Sequence, residues 1–316
     1  MPFPLKALNG LEVARVPIMV PLRLVAALLA TAFLVSVPAG AEEPDDRAGL
    51  VWSDWPRFHP AEYVVTGTML VGVGVGLFAV PQRVDALQGG VLFDDWLRSR
   101  VVLGNRGDRD TAILVGDVFY YGLSAYPVVV DLGVAALAVH QSTDVAWEMF
   151  WIDAEAFALT GLISTYTQKL IGRNRPFADK CQTDPAYDSD CGDPETRSQS
   201  LISGHTAMAF TGAGLVCVHH AHIPLYGGGA PDLLACGMSL AGASIVAWSR
   251  IIADRHYASD AVAGITVGLL SGYLMPELLH YRFSGSPFSL RTEALSIVVL
   301  PWVTPTTSGF AATGFL

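Results

Sequence analysis

A histidine and an aspartate stand four residues apart in Ser249–Asp260, a segment that separates two apolar stretches. At the start of a helix, residues with this spacing lie on one face. Asp260 can accept the proton of one ring nitrogen of His256, which leaves the other nitrogen free as a base or nucleophile. Arg250, six residues before His256, can bind an oxyanion through two hydrogen bonds. The segment therefore predicts chemistry on an anion.

Two further polar clusters interrupt the apolar pattern. One is Gln168–Pro176, at the end of the third predicted helix, and the other is Ser200–Thr206, at the start of the fourth. In an antiparallel bundle, these two clusters and the turn between helices five and six lie on the same side of the membrane. The topology therefore predicts one site formed by Arg175, His205, Arg250, His256 and Asp260.

Phosphate is the first candidate for the anion at this site. Arginines beside the backbone amides of a helix start form an oxyanion site, and Ser203-Gly204 lets the backbone approach the anion closely. One histidine can then attack phosphorus while the other protonates the departing oxygen. The arginines supply the positive charge that Mg²⁺ otherwise gives, so we expect a reaction without a metal or other cofactor.

The composition indicates a membrane protein. The chain has 52% hydrophobic and 15% charged residues, whereas soluble domains carry about 25% charged residues. The net charge of −10 argues against nucleic acid as a partner. We predict an all-α bundle of six membrane helices, formed by Glu62–Val80, Ala112–His140, Trp147–Tyr166, Thr206–His222, Leu233–Ala253 and Tyr257–Met275.

Several details of these helices can be predicted. Gly72 and Gly76 give the first helix a face for close packing. We expect a bend at Pro127 in the second helix, and a short amphipathic helix between the first two. The acids of the third helix are expected to face the bundle interior, and the histidines at the end of the fourth to lie at the interface; these are Glu148, Asp153, Glu155, His219, His220 and His222.

The chain divides into four parts. Residues 1–41 are predicted to be a signal peptide, because residues 19–41 have a basic start at Arg23, a short apolar core and an Ala-Gly-Ala ending; an uncleaved anchor is the alternative. Residues 42–60 are polar, with Trp52, Trp55 and Phe58 predicted to approach the bilayer interface. Residues 61–281 form the helical catalytic domain, and residues 282–316 a tail that is irregular or a β-hairpin.

The four cysteines fall into two groups. Cys181 and Cys191 flank a polar loop, and we hypothesise a disulfide between them, which requires an oxidising compartment. Free thiols are the alternative. Cys217 and Cys236 lie in apolar stretches and are predicted to be packing residues.

The three polar clusters together resemble the type 2 phosphatidic acid phosphatase (PAP2)/haloperoxidase superfamily. Its pattern is Lys, six residues, Arg-Pro; then Pro-Ser-Gly-His; then Ser-Arg, five residues, His, three residues, Asp. The third motif matches at each fixed position, and the resemblance covers roughly residues 60–280. It implies that His256 is the nucleophile, Asp260 its partner and His205 the general acid. It also implies a phosphate site made of Arg175, Ser203, Gly204 and Arg250.

The chain departs from the family pattern at two positions. The family's lysine falls on Gln168, and Lys169 is one residue late, so it reaches the site only from a distorted helix end. Ile202 stands at the proline position. Arg173 and Arg255 are predicted to be surface charges, although either could replace the missing lysine.

These observations predict a bacterial inner-membrane phosphatase of the PAP2 type, acting on a phospholipid or isoprenoid phosphate such as phosphatidic acid, a prenyl (di)phosphate or a lipid A phosphate. A vanadate-dependent haloperoxidase and a weakly catalytic binding or transport protein are the alternatives. The evidence for sidedness conflicts, because arginines between the first two helices favour a cytoplasmic motif face. The hypothesised Cys181–Cys191 bridge favours the periplasm, which we expect the site to face.

Overall fold

A computed structural model describes residues 49–281 together with three strands, Ser289–Thr292 (β1), Leu295–Val303 (β2) and Ser308–Phe315 (β3). The predicted signal peptide or anchor, residues 1–41, lies outside the described residues, as does the start of the polar segment, residues 42–48. The strands pair in the order β1-β2-β3, and both pairs are antiparallel. The tail therefore contains a three-stranded sheet, where we expected one hairpin or an irregular segment.

Residues 49–281 are helical, which agrees with the predicted all-α class of this domain. The predicted count of six is not confirmed, because the described residues contain nine α-helices; three of them, α2, α5 and α6, have eight residues or fewer. The nine are α1 Pro60–Phe78, α2 Asp94–Val101, α3 Arg106–Tyr126, α4 Thr143–Ile171, α5 Ala178–Cys181, α6 Pro194–Arg197, α7 Gly204–His222, α8 Ala230–Ile252 and α9 Ala258–Leu269.

Other helical turns extend this set. The chain changes from α-helix to π-helix at Pro127, the residue where we expected a bend, and the π-helix runs over Pro127–Val139. The ring of proline removes a backbone donor, which is a common cause of such local changes. A 3₁₀ turn covers Ser189–Gly192, and two π-turns, Leu270–Leu274 and Glu277–Tyr281, follow α9.

Four segments among the described residues are long and apolar enough to cross a membrane, namely Pro60–Phe78, Arg106–Val139, Ala230–Ile252 and Ala258–Tyr281. Helices α4 and α7 are not among them. Helix α7 contacts α3, α4, α8 and α9 and therefore lies at the centre of the bundle. Exposed apolar side chains, such as Val71 and Phe78 on α1, cover the outside. The described part of the chain is thus a membrane protein with a more polar centre.

Helices α1 and α4 pack closely through the two glycines that the sequence singles out. A methyl group on Gly72 would lie 2.8 Å from Cδ1 of Leu162, and one on Gly76 would lie 2.8 Å from Cγ2 of Thr165. Both distances are shorter than carbon–carbon contact permits. The predicted close-packing face of the first helix is confirmed.

The aromatic residues before α1 are packed inside the protein. Trp52 and Phe58 are buried, and the ring of Trp52 lies 5.5 Å from that of Tyr281. Phe58 stacks on Trp151 of α4. They therefore belong to a hydrophobic core, whereas we expected them at the bilayer interface.

The end of α7 opposite the three motifs carries a network of buried acids and histidines. His219 Nε2 lies 2.9 Å from a carboxylate oxygen of Asp153, and His220 Nδ1 lies 2.5 Å from Asp232. Both histidines are buried, so their predicted interfacial position is wrong. The carboxylates explain the difference, since they compensate the cost of burying imidazole rings.

Helices α7 and α8 are also joined covalently. Cys217 and Cys236 form a disulfide with a Cα–Cα distance of 4.4 Å. Their predicted role as packing thiols is therefore wrong, because the two helices approach closely enough to bring the sulfur atoms together. The second bridge, Cys181–Cys191, has a Cα–Cα distance of 5.3 Å and agrees with the hypothesis from the sequence.

Candidate active site

The first motif leaves α4 through a left-handed turn at Gly172. Its φ of +62° is a conformation that glycine adopts without steric cost. A methyl group there would lie 2.2 Å from the carbonyl oxygen of Arg83. The Gly172 carbonyl also accepts hydrogen bonds from the backbone of Ala86 and Leu87. This contact fixes the direction in which Arg173 and the residues after it leave the helix.

Arg173 is one of the most buried charged residues of the described chain. Its guanidinium donates to Asp260 at 2.5 Å and to Asp94 of α2 at 2.9 Å, and it lies over the ring of Tyr257. The prediction that Arg173 is a surface charge is wrong. Two carboxylates from distant parts of the chain make its burial possible.

Side chains of helix α2 form hydrogen bonds with both the first and the third motif. Arg98 donates to both carboxylate oxygens of Asp254, at 2.7 and 2.8 Å, and to the carbonyl oxygen of Pro176 at 2.6 Å. Asp94, one turn earlier, binds Arg173 and the backbone and hydroxyl of Ser259. Sequence reasoning missed this role. The available signal was a short charged helix between two apolar ones.

His256 is held by a backbone carbonyl. Its Nδ1 lies 2.8 Å from the carbonyl oxygen of Ser200, and 4.0 Å from the nearer carboxylate oxygen of Asp260. A carbonyl can only accept, so Nδ1 carries the proton and Nε2 keeps its lone pair. Asp260 accepts from the Ser200 hydroxyl at 2.5 Å and from the backbone of Tyr257 at 2.9 Å. Asp260 therefore orients His256 through Ser200, where the sequence predicted direct contact.

His205 and Arg250 meet a residue that sequence reasoning did not single out. Asp117 of α3 forms an ion pair with Arg250, and its carboxylate lies 3.5 Å from Nε2 of His205. The His205 ring packs on Tyr120, one turn further along α3, with centroids 4.5 Å apart. The available signal was an aspartate inside an apolar helix, which usually indicates a functional site.

Ser203 and Gly204 form the start of α7. The Ser203 hydroxyl lies 2.8 Å from that of Thr206, and its backbone N–H donates to the Asp260 carbonyl at 3.2 Å. Ser203 is therefore already hydrogen-bonded inside the protein. The N–H groups of the first turn, starting at Gly204, have no partner within a helix and are the donors available to an anion.

The end of α4 supplies an amide where the family pattern has a cation. Gln168 donates through Nε2 to the carbonyl oxygen of Ile202 at 2.8 Å, so it holds the segment that precedes Ser203. The Lys169 side chain contacts no polar partner in the described part of the chain. Arg175 follows Gly172 by three residues, and among the described residues its guanidinium has no hydrogen-bond partner.

Arg255 lies within the same site. It is buried, forms ion pairs with Asp188 at 3.3 Å and with Asp190, and lies over the ring of Phe177. The prediction of a surface charge is therefore wrong for Arg255 as well. The two aspartates come from the loop between Cys181 and Cys191, which the sequence did not connect with the motifs.

The cations keep both histidines neutral. Burial, together with Arg250, Arg175 and Arg255, lowers the pKa of His205 to about 3. Burial and the neighbouring Arg175 and His205 lower the pKa of His256 well below 6.5. Burial and the adjacent Arg255 also lower the pKa of Arg175 to about 10. A site with this excess of positive charge attracts an anion, and its neutral His256 has the lone pair that a nucleophile needs.

Comparison with known proteins agrees with this geometry. Residues 150–284 match the family model of the PAP2 superfamily. The matched stretch covers less than half of the chain. It contains the three motifs, whereas Asp94, Arg98 and Asp117 stand before it.

One curated relative is a protein named Lipid A 1-phosphatase, from Porphyromonas gingivalis. It is 40% identical over 98 residues, which are 30% of this chain and 20% of the relative. The chain thus aligns with only about a fifth of that relative's length. No solved structure matches this chain.

Proposed function

We propose that this protein is a metal-independent phosphatase that removes a phosphate group from a membrane lipid. The observation that carries the proposal is His256, which is buried, neutral and fixed by Ser200 with Nε2 unprotonated, beside three arginines. The match of residues 150–284 to the PAP2 superfamily and the four apolar helices support a phosphatase that acts on a lipid.

The proposed reaction has two steps. His256 Nε2 attacks phosphorus, the bond from phosphorus to the lipid oxygen breaks, and His205 donates its proton to that oxygen. Water then attacks the phosphohistidine, His205 takes the proton back, and the phosphorus–nitrogen bond breaks to release phosphate. The bound phosphate and Asp117 both carry negative charge beside His205, so substrate binding raises its pKa and protonates it for the first step.

A lipid A phosphate is the first candidate for the substrate. The similarity to the protein named Lipid A 1-phosphatase supports it over phosphatidic acid and prenyl diphosphates. We propose a periplasmic site, supported by the Cys181–Cys191 bridge that lies beside Arg255.

The test is phosphate release in detergent micelles containing EDTA, from a panel of lipid A, phosphatidic acid and prenyl diphosphate. We expect release by the wild type and a loss of at least about 1,000-fold in His256→Ala. His59→Ala is the matched control, since His59 is an exposed histidine that caps the N-terminus of α1. Equal release by wild type and His256→Ala, or release that requires Mg²⁺, would contradict the mechanism.

A second test concerns sidedness. Intact cells are treated with a mild reductant and then with a thiol reagent that does not cross membranes, and labelled peptides are identified by mass spectrometry. A periplasmic site predicts labelling of Cys181 and Cys191. Labelling of this pair only after cell lysis would place the site in the cytoplasm.

A further inference from the structure

At the end of α4, the position of the family's lysine holds an amide, Gln168. This amide donates to the Ile202 carbonyl oxygen. The Lys169 side chain has no polar contact among the described residues, and only its backbone carbonyl accepts a hydrogen bond, from Arg83. During phosphoryl transfer, several phosphate oxygens carry negative charge that neighbouring cations stabilise. Because Gln168 is neutral, another residue must supply the positive charge that the family's lysine provides.

Arg255 occupies a suitable place. Its backbone N–H and that of His256 both donate to the Arg250 carbonyl oxygen, at 3.0 and 3.2 Å, so the three residues share one tight turn. Its guanidinium lies 5.2 Å from the ring centre of Phe177, two residues after Arg175. The Arg255 side chain therefore contacts the segment that follows the first motif, while its backbone belongs to the turn that carries His256.

Three arginines around His256 each have a buried donor without a partner. The Nε atoms of Arg175, Arg250 and Arg255, like that of Arg173, have no acceptor in the described part of the chain. A buried donor without a partner destabilises the protein. Phosphate, with several acceptor oxygens, removes that destabilisation for more than one donor at once. The charge of Arg255 also lowers the pKa of both Arg175 and His205, which agrees with a position close to them.

We propose that Arg255 is the third phosphate-binding cation of this site and replaces the lysine of the family pattern. The loop closed by Cys181–Cys191 positions it, because Asp188 and Asp190 bind its two terminal nitrogens and leave Nε available. This inference rests on the proposed function, since it assigns a role in the same phosphate site.

The first test measures binding of inorganic phosphate and of vanadate by calorimetry, which needs no turnover. We expect Arg255→Gln to weaken binding about 10- to 100-fold, as for loss of a charged hydrogen bond, and Arg255→Lys to lose less. KM should rise by more than kcat falls. Arg100→Gln, an exposed arginine of α2, is the control. Thermal unfolding of each variant separates a binding defect from a folding defect.

The second test is a rescue. If Arg255 replaces the lysine, Gln168→Lys should restore at least part of the phosphate affinity to Arg255→Gln. Unchanged affinity in Arg255→Gln, or no gain on adding Gln168→Lys, would overturn the assignment. A wild type that binds phosphate through Arg255 but releases none from any lipid would instead refute the proposed function alone.

The third test concerns the loop. Replacing Cys181 and Cys191 with serine should weaken phosphate binding several-fold in wild type and have no further effect in Arg255→Gln. An equal loss in both backgrounds would show that the loop does not act through Arg255.

Discussion

The carbonyl oxygen of Ser200 lies 2.8 Å from Nδ1 of His256 and fixes the tautomer of that ring. The Ser200 hydroxyl donates to Asp260, which lies 4.0 Å from His256. The serine thus stands between the aspartate and the proposed nucleophile, and the aspartate acts on the ring mainly by holding the serine in place.

This relationship predicts that Ser200→Ala and Asp260→Asn affect one another. Each should lower kcat, and the double variant should lose less than the product of the two single effects. The effects of substitutions at residues in one hydrogen-bond network differ from additivity by about 0.5–3 kcal/mol. A double-mutant cycle on phosphate release measures this coupling. Independent effects would mean that Asp260 acts on His256 directly.

Asp117 provides a second prediction. Its carboxylate is paired with Arg250, so it competes with phosphate for that cation and repels the anion. We expect Asp117→Asn to bind vanadate roughly tenfold more tightly. We also expect a lower kcat, because the protonated His205 loses a nearby negative charge.

Vanadate inhibition and kcat, measured on the same preparations, test this prediction. Asp108→Asn is the control, since Asp108 lies exposed in the first turn of the same helix. Weaker vanadate binding in Asp117→Asn would show that Asp117 stabilises the arrangement of Arg250 rather than competing for it.

The depressed pKa values of the two histidines predict how stability depends on pH. The folded protein keeps His205 (pKa about 3) and His256 neutral, whereas histidine in an unfolded chain titrates near 6.5. As pH falls below about 6.5, the unfolded chain takes up protons that the folded protein does not, so stability falls. Above that pH, these two residues cause no further change.

Thermal unfolding in detergent between pH 4.5 and 7.5, a range chosen around the ordinary histidine pKa of about 6.5, measures this effect. His256→Gln should flatten the acid side of the profile relative to wild type. Vanadate should flatten it too, because a bound anion raises the pKa of both rings. Parallel profiles for wild type and variant would contradict the assignment of a neutral, buried His256.

The packing of α1 on α4 gives a prediction with a matched control. Gly76→Ala places a methyl group 2.8 Å from Thr165 and should destabilise the protein by about 1–3 kcal/mol. Gly74→Ala, on the same helix, meets nothing within 4 Å and should leave stability unchanged or slightly higher. Equal melting temperatures for the two variants would mean that α1 does not pack as described.

The sequence predicts the long helices and the residues of the third motif because both depend on local patterns. Apolar stretches mark the helices, and the spacing of Arg250, His256 and Asp260 marks the motif. The burial of Arg173 could not be predicted in this way. It depends on Asp94, 79 residues earlier in the chain, and on Asp260, 87 residues later.

The same reason explains the other errors. The sequence predicts that Arg255 is a solvent-exposed charge, whereas in the fold the Cys181–Cys191 loop pairs it with Asp188 and Asp190. The sequence predicts that His219 is interfacial, whereas in the fold it contacts Asp153 of α4. Both corrections depend on pairs that form only when separate helices or loops meet, and a pattern within one segment carries no information about them.

The polar centre of the bundle has a consequence for how the protein enters the membrane. Helices α4 and α7 bury Asp153 and His219, yet neither is among the four segments apolar enough to cross alone. A translocon releases strongly apolar segments into lipid readily and retains those with charged centres. We therefore expect α4 and α7 to leave the translocon late, together with the apolar helices that shield them, so that insertion and tertiary assembly form one event.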